Sequence, residues 1–276
     1  MNARVAPGDA AASASASSVG VRPREGDVHS VDRTLGAAMR GLDRAQLRAR
    51  FVEQGAFLYL DEFLPSEITA ELVASARALE PALNRNYLPG HKQGGSVSRH
   101  TIDRLAPHIG ELYRSRALIE WLEAVTGDKL LVSPADDPHA YALYYYTREG
   151  DHIGWHYDTS YYDGRRYTLL VGVIDESSCR LDYELHTRTP GAAVVPGSIQ
   201  YPPGAIVLFD GDKLRHRITP AKAGDMRVSL TFEYVTDARM RPWRRFISNM
   251  KDAIAYFGFR QVFRSLGGKR GGKDAA

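Results

Sequence analysis

MRVSLTFEYV, residues 226–235, alternates without a break. Met226, Val228, Leu230, Phe232 and Tyr234 fall on one face, and Arg227, Ser229, Thr231 and Glu233 on the other, because successive side chains of a strand point to opposite sides. One face asks for a hydrophobic core. The other sets an arginine beside a serine, and a planar guanidinium with a neighbouring hydroxyl is a receptor for a carboxylate.

Four other short β-branched or aromatic runs precede it: AYALYYYT (140–147), TLLVGVID (168–175), GAIVLFDGD (204–212) and RHRITP (215–220). Gly, Pro and Asp turns separate them, the pattern of a β-sandwich or barrel. FDGDK (209–213) between two of the runs reads as a hairpin turn. Upstream, helical signals dominate. Asp43–Gln54 predicts an amphipathic helix with Leu47, Phe51 and Val52 on one side, and Gly55–Leu64 a strand. A second helix starts at Pro65-Ser66, with Ser66 as its N-cap and Ile68, Leu72, Ala76 and Leu79 along one face. Asn84–His100 reads as a long loop, and Pro107–Gly127 as helix with Leu112, Leu118, Ile119 and Leu122 apolar. The expected fold class is therefore α+β with a mainly β core and N-terminal helices packed on it. Expected boundaries are a disordered tail at 1–30, one domain at 31–238 with its β core at about 140–236, and a basic helical tail at 239–276.

The composition, 43% hydrophobic and 25% charged over 276 residues, suits one soluble globular domain with tails. A single cysteine, Cys179, excludes an intramolecular disulfide and points to a reducing compartment. No run spans a bilayer, and the Ala/Ser-rich start lacks the apolar stretch of a secretory signal. The expected location is cytoplasmic. Residues 239–276 hold ten Lys/Arg against two Asp/Glu, a charge of +8, which leaves 26 basic against 31 acidic, or −5, for the rest. The basic character sits in the tail, so the main domain is not expected to bind nucleic acid.

GWHYDTSYYDG (154–164) sets His156 two residues before Asp158, and His216 follows 58 residues after Asp158. Two imidazoles and one carboxylate on one side of a metal leave the other side open, the facial triad of non-haem Fe(II) chemistry. Arg227-x-Ser229 comes about ten residues later. His152 is a competitor without an acid two residues on and reads as loop. His186 is a spare histidine.

The order H-x-D…H…R-x-S over about 140–235 resembles the Fe(II)/2-oxoglutarate-dependent oxygenases. The N-terminal preamble resembles their phytanoyl-CoA-hydroxylase-like branch. The resemblance implies a double-stranded β-helix, or jelly roll, with a C-terminal helical tail. It implies Fe(II) on His156, Asp158 and His216, 2-oxoglutarate on Arg227 and Ser229, and O2 as the oxidant. The expected outcome is hydroxylation of a small metabolite (amino acid, acyl or natural-product intermediate) with release of succinate and CO2. GWHYD and HRITP…RVSL also resemble bacterial enzymes that halogenate free amino acids. Those carry Gly where this chain has Asp158, which fills the position that chloride would take, so hydroxylation is expected.

Other readings remain beside this one. A jelly-roll protein could hold a metal or ligand without turnover, and a cupin-type metalloenzyme could work without 2-oxoglutarate. Arg227 could pair with Glu233 or another acid. Tyr144 is a candidate for the cosubstrate and Tyr146 for the substrate, each against plain core packing. Thr168 is a second cosubstrate candidate. Tyr161, Arg165 and Arg166, in the loop after the ligands, and Arg99, in KQGGSVSRH (92–100), are substrate candidates on two prospective lids. In the tail, Phe246, Met250, Ala253 and Phe257 form an apolar stripe. It fits packing on the barrel, a dimer contact, or peripheral contact with an anionic membrane. The oligomeric state is not legible.

Overall fold

Residues 25–134, 137–160 and 162–239 are described by the computed structural model, residues 25–30 by their backbone alone. The described chain opens with helices α1 (Glu25–Met39), α2 (Arg44–Glu53) and α3 (Ser66–Leu79), with strand β1 (Phe57–Leu60) between the last two. A hairpin follows, β2 (Asn84–Leu88) and β3 (Lys92–Ser98), then helices α4 (Arg99–Leu105), α5 (Pro107–Tyr113) and α6 (Arg116–Thr126). The β core continues with β4 (Leu131–Val132), β5 (Tyr141–Tyr146), β6 (His152–His156), β7 (Arg166–Glu176) and β8 (Leu181–Leu185). It closes with β9 (Val195–Ile199), β10 (Ile206–Asp210), β11 (Arg215–Ile218) and β12 (Met226–Val235).

Neighbouring strands run β1-β10-β7-β12-β5-β3 and continue as β6-β11-β8-β9. All pairings are antiparallel. The link between the two halves is short, Lys92 opposite Ile153 and Gln93 opposite His152. The sheet thus folds over itself as a jelly roll. β12 sits in the larger half, between β7 and β5. Its apolar face, Val228, Leu230, Phe232 and Tyr234, joins the core that the helices cover. Tyr113 of α5 packs there against Tyr141, Tyr234 and Phe232, with ring centroids 4.9, 5.0 and 5.4 Å apart. Each such buried side chain contributes about 1.5–3 kcal/mol. A second apolar cluster, including Phe57, Leu181, Tyr201, Phe209 and Ile218, fills the space between the two halves. The polar face of β12 looks into that space.

Several expectations are corrected. Helix α1 begins at Glu25, inside the stretch expected as disordered tail. Val52 is exposed, although Leu47 and Phe51 are buried. The strand at 55–64 is confined to β1. Ser66 is the first helical residue, not the N-cap; Pro65 holds that place without a side-chain bond. The helix at 107–127 is two helices, because buried Ser115 caps α6 by accepting from Leu118 N–H at 3.3 Å. The expected loop at 84–100 is the β2–β3 hairpin followed by the start of α4. FDGDK is not a hairpin. Both edges of β10 are already paired, with β1 and β7, so the turn carries the chain across to β11, which pairs with β6 and β8. His152 opens β6 rather than lying in a loop. The basic tail from 240 and its membrane reading lie outside the described residues. No helix among the described residues is long and apolar enough to cross a membrane.

Candidate metal centre

β6 and β11 run antiparallel with His156 directly opposite His216. A cross-strand pair shares one face, so the imidazoles meet with ring centroids 4.2 Å apart. The chain turns back after β6 and brings the Asp158 carboxylate between them. Oδ1 lies 3.4 Å from His156 Nε2, and Oδ2 lies 3.8 Å from His216 Nε2. The three ligand atoms lie within 4.8 Å of one another, a group that could hold a metal ion. Both Nδ1 atoms face carbonyl oxygens, Gly154 O at 2.8 Å and Leu214 O at 3.3 Å. Nδ1 must then be the protonated nitrogen, and each Nε2 keeps its lone pair for the centre.

Electrostatics favour the same state at His216 and an ionised Asp158. Burial lowers His216 to about 4, with His156 adding to the effect and Asp158 opposing it. Burial alone would raise Asp158, but His216, His156 and Arg166 hold its carboxyl far below the usual range. His156 is raised; burial pulls it down, but Asp158 outweighs that. A neutral His216 beside an ionised Asp158 suits a divalent cation, and His156 must give up its proton when the cation binds.

Gly211, in the turn after β10, lets Asp158 take this place. A Cβ at 211 would stand 2.3 Å from the Asp158 carbonyl oxygen and 3.1 Å from its Cβ. Thr168 Oγ, fully buried, lies 3.0 Å from Asp158 Oδ2 and 3.0 Å from Glu233 Oε2. One hydroxyl proton cannot serve two carboxylates, so one contact needs a proton on the acid. Burial pushes Glu233 up to about 7 against the pull of Arg166. Arg166 Nε donates to Glu233 Oε2 at 2.7 Å, a pair almost without solvent.

At the other end of the inner face stands Arg227, 1% exposed. Its guanidinium lies over the Tyr201 ring at 4.2 Å. Nη1 makes only long contacts, 3.4 Å to Cys179 O and 3.7 Å to Asp175 Oδ1. Nε and Nη2 are buried without a hydrogen-bond partner. Beside them the Tyr201 and Ser229 hydroxyls lie 2.8 Å apart. A desolvated cation with idle donors is costly unless an anion takes them. A cavity of about 110 Å³ is lined by the His-Asp-His cluster together with Tyr144, Tyr146, Tyr201, Ser229 and Glu233.

The remaining sequence candidates divide. Tyr144 and Tyr146 both line this cavity. Tyr146 is opposite Arg227 across the strands and buried, so it stands at the arginine end rather than a substrate mouth. Thr168 sits between two carboxylates rather than near Arg227. Arg166 lines the cavity, tied to Glu233. Arg165 points away and pairs with Asp128 at 2.9 Å on the surface. Alternation along β7 explains the split: Arg166, Thr168 and Leu170 share the inner face. Arg99 is buried, with Nη1 donating to the carbonyls of Pro134 and Asp137, and it is away from the cavity. Tyr161 lies outside the described residues. Arg227's acidic neighbour is Asp175, not Glu233. His186 is absent from the cluster.

Sequence reading missed Lys92, Tyr201 and the function of Gly211. Lys92 lines the cavity, with Nζ 4.5 Å from the Tyr144 ring centroid. Burial lowers its pKa to about 8, against the attraction of Asp158. Alternation through Lys92, Gly94, Ser96 and Ser98 was the available signal.

Comparison with solved structures gives the fold. The epimerase SnoN from nogalamycin biosynthesis, in complex with Fe3+, α-ketoglutarate and nogalamycin RO, shares 15% identity over 72% of this chain and 86% of its own, with a TM-score of 0.59. AviO1 from Streptomyces viridochromogenes Tue57 shares 22% identity over 73% of this chain and 98% of its own, with a TM-score of 0.54. A Trichoplax adhaerens prolyl hydroxylase, bound to a hypoxia inducible factor peptide fragment, shares 16% over 82% and 97%, with a TM-score of 0.54. The chain has the fold of the Fe(II)/2-oxoglutarate-dependent oxygenases. The family model for Halogenase D (HalD) matches residues 40–164. No curated protein matches the sequence.

Proposed function

We propose that this protein is an Fe(II)- and 2-oxoglutarate-dependent oxygenase that hydroxylates an unactivated C–H bond of a small metabolite. The observation that carries the reading is the idle pair of buried Arg227 donors, Nε and Nη2, behind the same cavity as the His156–Asp158–His216 cluster. A metal-binding protein needs no such receptor. The cluster and the arginine together fit a metal and a dicarboxylate that reaches from it to a cation.

His156 Nε2, Asp158 and His216 Nε2 would hold the iron. Arg227 would receive the distal carboxylate of 2-oxoglutarate, with the Ser229 and Tyr201 hydroxyls beside it. When bound, iron and 2-oxoglutarate supply an O2-derived oxidant that removes a substrate hydrogen and returns a hydroxyl, releasing succinate and CO2. The chain's own contribution is to fix the ligand tautomers, keep Asp158 ionised and exclude water around Arg227. Support for hydroxylation over halogenation comes from the Asp158 carboxylate, which fills a coordination position and is held there by Thr168.

The test is an anaerobic titration of purified protein with Fe(II) and then 2-oxoglutarate, followed by visible absorption. A weak charge-transfer band is expected, absent in His216→Ala. Iron binding without a band would remove 2-oxoglutarate as a chelating cosubstrate and with it this function.

A further inference from the structure

The metal cavity has a neighbour. A second chamber of about 190 Å³ lies on the β2–β3–β5 side and shares Lys92 and Tyr144 with the first. At about 30 Å³ per liquid water, it has room for about six waters, the scale of an amino-acid-sized molecule. Its walls carry Asn84, Asn86, Ser96, Ser98 and His139. No carboxylate is among its lining residues.

Two cations line this chamber, and they differ in kind. Arg85 is already satisfied: both of its terminal nitrogens donate to Asp151, which is fully buried. Lys92 makes no ion pair and no hydrogen bond among the described residues; its ammonium overlies the Tyr144 ring and is attracted from the first cavity by Asp158. An ammonium in a confined polar space, with hydroxyl and amide groups around it and no acid on the wall, is a receptor for an oxyanion. Lys92 also stands where the two chambers meet, so a ligand on it reaches towards the metal cluster past Tyr144.

We infer that the second chamber seats a small molecule bearing a carboxylate or phosphate, with that oxyanion on Lys92 and the rest of the molecule directed past Tyr144 to the His156–Asp158–His216 cluster. That this molecule is the substrate rests on the oxygenase reading. That the chamber binds an oxyanion does not.

The test uses the full chain loaded with Fe(II) under nitrogen and without 2-oxoglutarate. Binding is measured by calorimetry for a panel of α-amino, α-hydroxy and aliphatic carboxylic acids, the matching primary amides, and phosphate monoesters with their parent alcohols. At least one acid or phosphate ester should bind at least tenfold more tightly than its neutral partner. Lys92→Gln should lose that preference by about tenfold or more, the factor for one charge-assisted hydrogen bond, and Lys92→Arg should restore part of it. Thermal melts establish that both variants are folded. A preference that survives in Lys92→Gln would put the oxyanion on the metal and overturn the proposal. So would equal binding of charged and neutral partners, or no binding of any oxyanion in the panel. Failure of the 2-oxoglutarate band in the separate titration would overturn the oxygenase reading alone.

Discussion

Replacing Arg227 with methionine separates a cosubstrate receptor from a structural ion pair, because the two readings predict opposite outcomes. The side chain is 1% exposed, and only Nη1 comes near a carbonyl or carboxylate oxygen, at 3.4 and 3.7 Å. Both contacts are longer than good hydrogen bonds, so the folded chain draws little from them. Arg227→Met keeps the unbranched bulk against the Tyr201 ring and removes a poorly paired buried charge. Asp175 loses its cation but keeps the Ser177 hydroxyl at 2.7 Å. These effects oppose one another, and the net change in stability should stay within about 1–2 kcal/mol, a shift of a few degrees in Tm. Binding is different. A carboxylate on Nε and Nη2 makes two charge-assisted bonds, each worth about 1.5–3 kcal/mol. Their loss should raise the Kd for 2-oxoglutarate at least about 100-fold, with Fe(II) affinity unchanged. Anaerobic titration of the charge-transfer band gives the Kd, and calorimetric melts give the stability. A Kd for 2-oxoglutarate within about threefold of the native value, together with a loss of about 3–5 kcal/mol in stability, would show that Arg227 is structural and refute the reasoning.

Gly211→Ala should weaken Fe(II) binding without touching the ligands, since its Cβ would meet the Asp158 carbonyl oxygen at 2.3 Å and force that backbone to move; metal titration checks this, and unchanged affinity would show that the turn yields instead. Thr168→Val removes the hydroxyl between Asp158 and Glu233, and Fe(II) affinity should fall about 10–100-fold, read by the same titration. Asp151→Asn should cost about 2–3 kcal/mol, because the buried carboxylate accepts from Arg85 and from Thr147 and Arg148 N–H at 3.0 Å each. Burial alone would raise Asp151, but Arg85 and these N–H groups lower it. Its contribution is therefore present above the ordinary carboxylate value and is lost as pH falls through the depressed one. Acid melts should show a shallower decline in stability below about pH 4 for the variant than for the native chain.

The parts of the site that announced themselves in sequence obey short-range rules. Alternation placed Arg227 and Ser229 on one face of β12, and the histidines fell where β6 and β11 pair. One failure is the loop expected at 84–100. Gly94 and Gly95 turned a strand into an expected loop, whereas their lack of a side chain lets neighbours close in. A Cβ on Gly95 would meet Leu83 Cδ1 at 1.9 Å, and one on Gly94 the Tyr145 carbonyl at 3.3 Å. With β3 read as loop, the parity that turns Lys92 inward was invisible. Parity along β7 was available and would have separated Arg166 from Arg165. Tyr201 had no local signal; it follows β9 in a Pro- and Gly-rich connection and is placed by packing between the sheet halves. FDGDK shows the same limit, since turn chemistry alone does not say whether the next strand pairs with the last or crosses to the other half.

The carboxylate at position 158 is tied into the fold mostly through residues that follow it in sequence. His156 and His216 flank it, Thr168 bonds it from β7, Gly211 makes room for its backbone, and Glu233 with Arg166 supports Thr168 from behind. The Halogenase D model ends at residue 164. Of these six partners only His156 lies within the matched stretch; Arg166, Thr168, Gly211, His216 and Glu233 all come after it. Likeness over 40–164 therefore covers helices α2 to α6, strands β1 to β6 and position 158 itself, but not the residues after 164 that support a carboxylate there. A vacancy for chloride would leave the Thr168 hydroxyl without the carboxylate it bonds, whereas Gly211 makes room for backbone that any residue at 158 would carry. With Asp158 present that hydroxyl has a partner, and the contact is what supports the proposed hydroxylation over halogenation.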